Sequence, residues 1–321
     1  MNLLPYDRKC GRKGEAGNEY IFDDSLLILV VAVLALIFEI YRELHCFRIT
    51  RYSVWSKKLS GTARDVKILF LSDLHNRTYG KDNEKLLGSI RSEKPDLILI
   101  GGDMLVGKEN IPYNTALKFL AELPGICPVI YANGNHEQRM KEDTKTYGDA
   151  YALYKKTLTK RGIYFLENQS IRVELGSAEL IIYGLELPPA SYKKFKKTPL
   201  TAQKISGYFR EQKTTGNAQN GGKKADKSYR ILMAHNPAYM DAYLEWGADM
   251  ILSGHLHGGL VRVPVLGGIV TPQGFLFPKY SGEMTKVGDQ TVIVSRGLGT
   301  HTLNIRFFNT PELVCICLGG E

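Results

Sequence analysis

Five of the seven histidines in this chain lie in short clusters beside acidic or amide side chains. In chain order these clusters offer Asp73 and His75, Asp103, Asn135 and His136, His235, and finally His255 and His257. Carboxylate, amide and imidazole groups are hard or borderline metal ligands. The set supplies seven such ligands and one spare histidine, which is what a two-metal hydrolytic centre requires.

The elements that must position these side chains are short apolar runs, each directly before a cluster. The runs are typical of buried strands and cover residues 66–71, 97–100, 128–131, 229–234 and 250–253. Residues two apart on extended backbone point the same way, so Asp73 and His75 are expected to face one ion. Asp103 follows two glycines, which allow close backbone approach, and its two oxygens could bridge cations about 3.5–4 Å apart.

Each cluster taken alone has a simpler interpretation. Asp103 after two glycines is typical of a turn, Asn135 could cap a helix, and His235 could be an ordinary loop histidine. The pair His255 and His257 between glycines has little use in packing. Five clusters at five successive strand ends therefore favour one shared site over five separate turns.

In this order the motifs Asp-x-His, Gly-Asp, Gly-Asn-His-Glu, His and Gly-His-x-His resemble those of the calcineurin-like metallophosphoesterase superfamily. The resemblance extends from about residue 67 to residue 318. Residues 72–76, 258–259, 277–280 and 295–299 resemble its bacterial membrane-associated branch. This resemblance implies an α/β (α+β) fold, a four-layer αββα sandwich of two mixed sheets flanked by helices.

The resemblance also implies two divalent metal ions, with Mn2+, Fe2+ or Zn2+ as candidates. It assigns the first metal to Asp73, His75 and His257, the second metal to Asn135, His235 and His255, and the bridging position to Asp103. Val106 stands where the related purple acid phosphatases place a tyrosine ligand, which disfavours a tyrosinate-ferric centre. Leu260 stands where the membrane-associated branch often has glutamine.

The remaining histidine, His136, is implied to be catalytic. A metal-bridging hydroxide would attack a phosphate mono- or diester. Cationic His136 would stabilise the transition state or protonate the leaving alkoxide, and Glu137 could keep it charged and oriented. We therefore predict a metal-dependent phosphoesterase, with a phospholipid or cell-envelope ester among its candidate substrates. A non-catalytic metal-binding membrane scaffold and a nuclease are the alternatives.

The amino-terminal region predicts a location at the cell membrane. Residues 25–41 are apolar apart from Glu39, which is near the lower limit of about 17–25 residues for a membrane span. We predict a polar tail over residues 1–24, a single-pass anchor over 25–41 and a basic juxtamembrane connector over 42–64. A cleaved signal is disfavoured because a short basic start and a small-residue cleavage site are missing. Basic residues flank the span nearly equally, so the membrane side of the enzyme stays open.

Length and composition predict one catalytic domain over residues 65–321. The 321 residues are 44% hydrophobic, enough for a well-buried core. The five scattered cysteines form no Cys-x-x-Cys pair, which argues against a zinc ribbon or a disulfide framework. A mobile basic insertion is expected at about residues 190–228, either as a solvated excursion or as a rim that attracts phosphate or anionic lipid. Nucleic acid is disfavoured because the basic residues are not interleaved with aromatics.

Overall fold

A computed structural model of the chain describes residues 18–60, 66–210, 228–259, 262–263, 267–300 and 305–320, with backbone alone at 18–23. The chain divides into two compact units, Met1–Arg42 and Glu43–Glu321. The predicted tail before residue 18, the position of Leu260 and the part of the insertion from 211 to 227 lie outside the described residues.

The described part of the first unit is helical. Helix α1 (Asn18–His45) begins in this unit, and its last turn belongs to the second. Its stretch Asp24–His45 has a mean hydropathy of 2.4 and is long and apolar enough to span a membrane. Large apolar side chains along it, such as Leu29 and Phe38, are exposed.

The second unit is built on two six-stranded sheets within the described residues. The first sheet has the order β1-β14-β2-β3-β4-β5, formed by β1 (Arg48–Ser56), β2 (Val66–Leu71), β3 (Leu97–Ile100), β4 (Val129–Ala132), β5 (Ile163–Leu166) and β14 (Glu312–Gly320). Strands β2 to β5 run parallel to one another, whereas β14 is antiparallel to β2, so the sheet is mixed.

The second sheet has the order β12-β13-β9-β8-β7-β6. It is formed by β6 (Gln169–Leu175), β7 (Ala178–Leu185), β8 (Tyr229–Ala234), β9 (Met250–Ser253), β12 (Met284–Val287) and β13 (Gln290–Val294). Its central strands are parallel and its two edge strands antiparallel. A small ribbon pairs β10 (Arg262–Val263) with β11 (Gly267–Gly268).

The strands alternate their side chains between two apolar layers. Leu69 and Ile98 face an outer layer of helices, whereas their neighbours Ile68 and Leu97 face the second sheet. The helices over the first sheet are α2 (Glu84–Glu93), α3 (Asn114–Glu122), α4 (Asn135–Glu142), α5 (Thr144–Tyr147) and α6 (Ala150–Lys160). Those over the second sheet are α7 (Ala202–Arg210) and α8 (Met240–Trp246). The predicted four-layer αββα sandwich of mixed sheets is confirmed.

The five apolar runs that precede the clusters all form strands. Four match their predicted bounds, and the third, β4, begins one residue later than predicted. Pro128 has no N–H to donate to a ladder, so the strand starts at Val129.

The predicted basic connector contains an edge strand. Within residues 42–64, β1 pairs in parallel with β14, from Arg48 opposite Glu312 to Ser56 opposite Gly320. The basic residues lie on the outer edge, where Arg48 approaches Glu312 at 3.6 Å and Arg51 contacts Glu93. Positive charge on an exposed edge strand discourages pairing with other chains. The sheet therefore begins at Arg48, well before residue 65.

The first half of the predicted mobile insertion is also ordered. A 3-10 turn covers Pro189–Tyr192, and α7 buries Ile205 against the second sheet. Only residues 211–227 of this segment are outside the described structure.

Candidate metal centre

All eight predicted site residues meet at the carboxyl ends of the strands. Asp73 and His75 follow β2, Asp103 follows β3, and Asn135 and His136 open α4 after β4, while the second sheet delivers His235 after β8 and His255 and His257 after β9. The Asp73, Asp103 and His235 side chains are almost completely buried. The edge shared by the two sheets thus gathers side chains from positions more than 180 residues apart.

Two groups of donor atoms contain the predicted aspartate and histidine ligands, and a third group among the described residues places His136 with His75 and Asp103. In the first group, His257 Nε2 lies 3.1 Å from His75 Nε2 and 3.5 Å from Asp73 Oδ1. In the second group, Asp103 lies with His235 and His255, with their ligand atoms within 4.8 Å of one another. Asp103 Oδ2 is 3.2 Å from His235 Nε2 and 3.8 Å from His75 Nε2, so this oxygen faces both groups.

The backbone at these positions is strained. Asp73, His75, Asp103, His255 and His257 all have positive φ, between 47° and 69°. Residues other than glycine rarely adopt this conformation, and such strain persists only where the surrounding structure enforces it. The residues with strained backbone are those that carry the polar side chains of the site. This indicates that contacts within the site hold these loops in their conformation.

Two glycines allow the Asp103 and Asn135 loops to touch. A Cβ on Gly102 would lie 2.0 Å from the backbone nitrogen of Gly134, and one on Gly134 would lie 2.2 Å from Asp103 Oδ1. Neither position has room for a side chain. The close approach that the sequence predicted from Gly-Gly-Asp is therefore a backbone-to-backbone contact between neighbouring strand ends.

Glu137 joins the same two loops. Its buried carboxylate accepts hydrogen bonds from the backbone N–H groups of Asp103 at 2.8 Å, Met104 at 2.9 Å and Gly134 at 3.0 Å, and from the Tyr131 hydroxyl at 2.8 Å. The expectation that Glu137 keeps His136 charged is wrong, because its oxygens point to the Asp103 loop. Successive residues of a helix start face different directions, which sequence proximity does not reveal.

The His136 ring is oriented by a backbone donor. The N–H of Gly107 donates to His136 Nδ1 at 2.8 Å, so the neutral ring carries its own proton on Nε2. Nε2 lies 3.9 Å from Asp103 Oδ2. This hydrogen bond favours a neutral ring rather than the predicted cationic one, because protonated Nδ1 could not accept the Gly107 N–H.

Backbone carbonyls orient two of the other imidazoles. His235 Nδ1 lies 2.7 Å from the Gly101 oxygen, and His257 Nδ1 lies 3.2 Å from the Gly299 oxygen. Hydrogen bonds of this kind place the ring proton on Nδ1 and leave Nε2 as the electron-pair donor toward a cation. Buried Arg306 donates to the same Gly299 oxygen. Sequence reasoning missed Arg306, because no motif or periodicity distinguishes it.

Two buried carboxylates, Asp73 and Asp103, and the histidine that faces them have shifted pKa values. Burial raises the pKa of Asp73 to about 6, and neighbouring Asp103 adds to this effect. Although burial opposes its charged form, the carboxylates of Asp103 and Asp73 raise the pKa of His235 to about 10. Burial also opposes ionisation of Asp103, yet the facing His235 lowers its pKa well below the usual value. A proton on His235 thus provides positive charge between two buried carboxylates.

The donor set fits divalent cations. Among the described residues, buried Asp73 Oδ2, Asp103 Oδ2, Asn135 Oδ1 and His235 Nε2 have no hydrogen-bond partner. Leaving a buried polar atom unsatisfied costs about 1–3 kcal/mol, so such atoms seldom accumulate in one place without a ligand. Mixed imidazole, carboxylate and amide donors suit first-row ions such as Mn2+, Fe2+ and Zn2+.

Comparison with known proteins agrees with this geometry. The family model of calcineurin-like phosphoesterases matches residues 66–259. The chain therefore belongs to the calcineurin-like phosphoesterase family and is a metal-dependent phosphoester hydrolase.

Three relatives span most of its length. The uncharacterized metallophosphoesterase YkoQ of Bacillus subtilis is 24% identical, covering 91% of this chain and 98% of YkoQ. The phosphodiesterase YaeI of Escherichia coli is 24% identical, covering 79% of this chain and 82% of YaeI. The UDP-2,3-diacylglucosamine pyrophosphatase LpxG of Chlamydia muridarum is 23% identical, covering 91% of this chain and 95% of LpxG.

Proposed function

We propose that this protein is a membrane-anchored phosphodiesterase with a dinuclear metal centre. The observation that carries the proposal is Asp103, whose Oδ2 faces His235 on one side and His75 on the other. A buried carboxylate shared by two groups of nitrogen and oxygen donors is suited to hold two cations next to each other.

The residues that would hold the ions follow from the two groups. Asp73, His75 and His257 form one, and Asn135, His235 and His255 form the other, with Asp103 common to both. Two divalent cations bound there would lower the pKa of a shared water molecule and polarise the phosphoryl oxygens of the substrate. The chain itself orients two of these donors, His235 and His257, through the Gly101 and Gly299 carbonyls.

His136 is proposed to donate a hydrogen bond to the leaving-group oxygen. The Gly107 N–H holds the ring so that its Nε2 proton points toward Asp103. A hydrogen bond from this N–H to the departing oxygen would stabilise the negative charge that develops there, and the alkoxide would take its proton from water. His136 keeps its Nε2 proton, so the neutral ring is unchanged after turnover.

The activities of the relatives support a substrate whose phosphate carries two substituents. YaeI is a phosphodiesterase, and a pyrophosphatase such as LpxG cleaves a phosphate that is likewise doubly substituted. We propose a phosphodiester on this ground.

The anchor is proposed from α1. At a rise of about 1.5 Å per residue, 22 helical residues reach roughly 33 Å, enough for a hydrocarbon core of about 30 Å. Exposed leucines and valines along the helix suit contact with lipid. Carbonate-resistant sedimentation with membranes would support an uncleaved anchor, and release of a chain starting near residue 43 would indicate cleavage instead.

The experiment that tests the activity is a metal-resolved hydrolysis screen of the full chain. Protein stripped with chelator is reloaded with Mn2+, Fe2+ or Zn2+ and assayed with a mono- and a diester of p-nitrophenol, and with DNA and RNA. We expect metal-dependent diester turnover. Metal uptake without turnover of any ester would instead support a scaffold, and turnover confined to DNA or RNA would support a nuclease.

A further inference from the structure

A cavity of about 290 Å³ lies directly behind the loop that carries two of the proposed ligands. Leu256, which stands between His255 and His257, forms part of its wall, as does Pro237, two residues after His235. The volume is at the lower end of the range for small-molecule sites, about 300–1,000 Å³. The cavity is therefore close enough to the centre to receive another part of the same substrate.

The wall is held together by one backbone carbonyl. The Ser191 oxygen accepts hydrogen bonds from Asn236 Nδ2 at 3.0 Å, Gln273 Nε2 at 3.1 Å and the Tyr239 hydroxyl at 3.3 Å. In the same region the Tyr192 ring packs edge-on against His255, with ring centroids 5.2 Å apart. These contacts tie three chain segments to the metal centre and make the cavity a preformed part of it.

The chemistry of the wall is mainly apolar with a few polar groups. Met240, Phe275 and Pro278 supply apolar surface. Gln273 Oε1 and the Tyr280 hydroxyl are buried there and have no hydrogen-bond partner within the described structure. Because Gln273 already donates its amide nitrogen to Ser191, its oxygen is oriented to accept from a ligand. An apolar group carrying a hydroxyl or amide would satisfy both polar atoms.

The mouth of the cavity combines exposed apolar side chains with positive charge. Phe195, Leu276 and Phe277 are 76%, 64% and 63% exposed. The Phe195 N–H donates to the backbone carbonyl of Gln273 at 3.0 Å, which places this aromatic beside the cavity wall. Lys197 and Lys279 line the cavity together with Asp241, and Lys193, Lys194 and Lys196 are exposed on the segment that contains Phe195. Aromatic and aliphatic side chains interspersed with lysines are typical of a surface that meets anionic lipid.

Building on the proposed function, we propose that this cavity receives the apolar part of the phosphate ester. The substrate is thus a membrane-resident amphiphile, whose phosphate lies at the metal centre and whose apolar chain enters between Leu256 and Phe275. The lysines match the negative charge of the phosphate and of its lipid surroundings.

The test compares substrates of different alkyl-chain length. It uses the full protein, held in lipid nanodiscs and loaded with Mn2+. Methyl and butyl p-nitrophenyl phosphate share a leaving group and differ by three methylenes. Each methylene that enters an apolar site is worth about fourfold, so kcat/KM should be about tenfold to sixtyfold higher for the butyl ester. A long-chain ester should be hydrolysed faster from anionic vesicles than as a monomer in solution.

The Ala238→Trp variant fills the cavity from its wall and should remove most of the butyl preference. The matched control is Ala152→Trp, at an exposed position on α6 far from the cavity. Calorimetry gives a readout independent of turnover, because butyl phosphonate should bind with a more negative heat-capacity change than methyl phosphonate.

Equal kcat/KM for the two esters, or a long-chain ester turned over only as a monomer, would overturn this inference while leaving the proposed function intact. Failure of the proposed function is distinct, since then neither ester is hydrolysed with any metal. If Ala238→Trp does not fold, the wild-type chain-length ratio and the calorimetric comparison still decide the question.

Discussion

Replacement of His136 by asparagine is expected to remove a hydrogen bond to the leaving group while leaving metal binding intact. Asparagine can accept the Gly107 N–H through its side-chain oxygen, as His136 Nδ1 does at 2.8 Å, but its shorter side chain has no N–H at the position of His136 Nε2. The metal site should survive because His136 supports Asp103 through its backbone: its N–H donates to Asp103 Oδ1 at 2.8 Å, and the variant keeps that bond.

The size of the effect follows from the leaving group. A positioned hydrogen-bond donor to developing negative charge contributes about 10²–10³ in rate, or roughly 2.7–4 kcal/mol of barrier. We expect that loss in kcat for an ester with an alkoxide leaving group. For p-nitrophenol, which departs readily as an anion, the loss should be less than about tenfold.

Two measurements check this reasoning. Steady-state assays with alkyl and p-nitrophenyl leaving groups give the two ratios, and elemental analysis gives the metal content of each protein. The reasoning would be refuted by equal losses for both leaving groups, or by loss of metal in the variant.

Three further outcomes are expected. Glu137→Gln puts an amide N–H against the N–H of Met104 and should lower the free energy of unfolding by about 2–4 kcal/mol. Urea titration measures this change, and the control variant Glu142→Gln, on the exposed end of α4, should change the free energy of unfolding little. In chelator, the stability of the fold should decrease as pH rises from about 6.5 towards 10, because the pKa of native His235 is about 10, above its unfolded value of 6.5. Thermal melts in which the melting temperature does not decrease across that pH range would contradict this. A chain that starts at residue 60 should aggregate or melt at lower temperature than one that starts at residue 43, because it lacks edge strand β1; equal melting temperatures would show that β1 is dispensable.

The strand ends and the polar residues beyond them could be predicted from sequence. Short apolar runs predict buried strands, and a polar cluster directly after each run can only lie at the strand end. Because parallel strands run in the same direction, their carboxyl ends meet at one edge of the sheet, as those of β2, β3 and β4 do. The position of the eight predicted site residues at strand ends needed no tertiary information beyond this.

Features that depend on contacts distant in sequence could not be predicted. Strand β1 is defined by its pairing with β14, which lies more than 250 residues later, so its composition alone indicated a connector. The direction of the Glu137 carboxylate depends on how the β3 and β4 loops meet. Buried Arg306 and the cavity behind Leu256 likewise arise from loops with no periodic pattern.

The most direct test of the dinuclear centre is the metal content of the purified full chain together with its Asp103→Asn variant. After saturation with Mn2+ and removal of free ion, elemental analysis should find two ions per wild-type chain. It should find one or none in the variant, because an amide cannot supply two anionic contacts. A fully active wild-type protein that never holds more than one ion, or a variant that keeps both, would contradict the proposal.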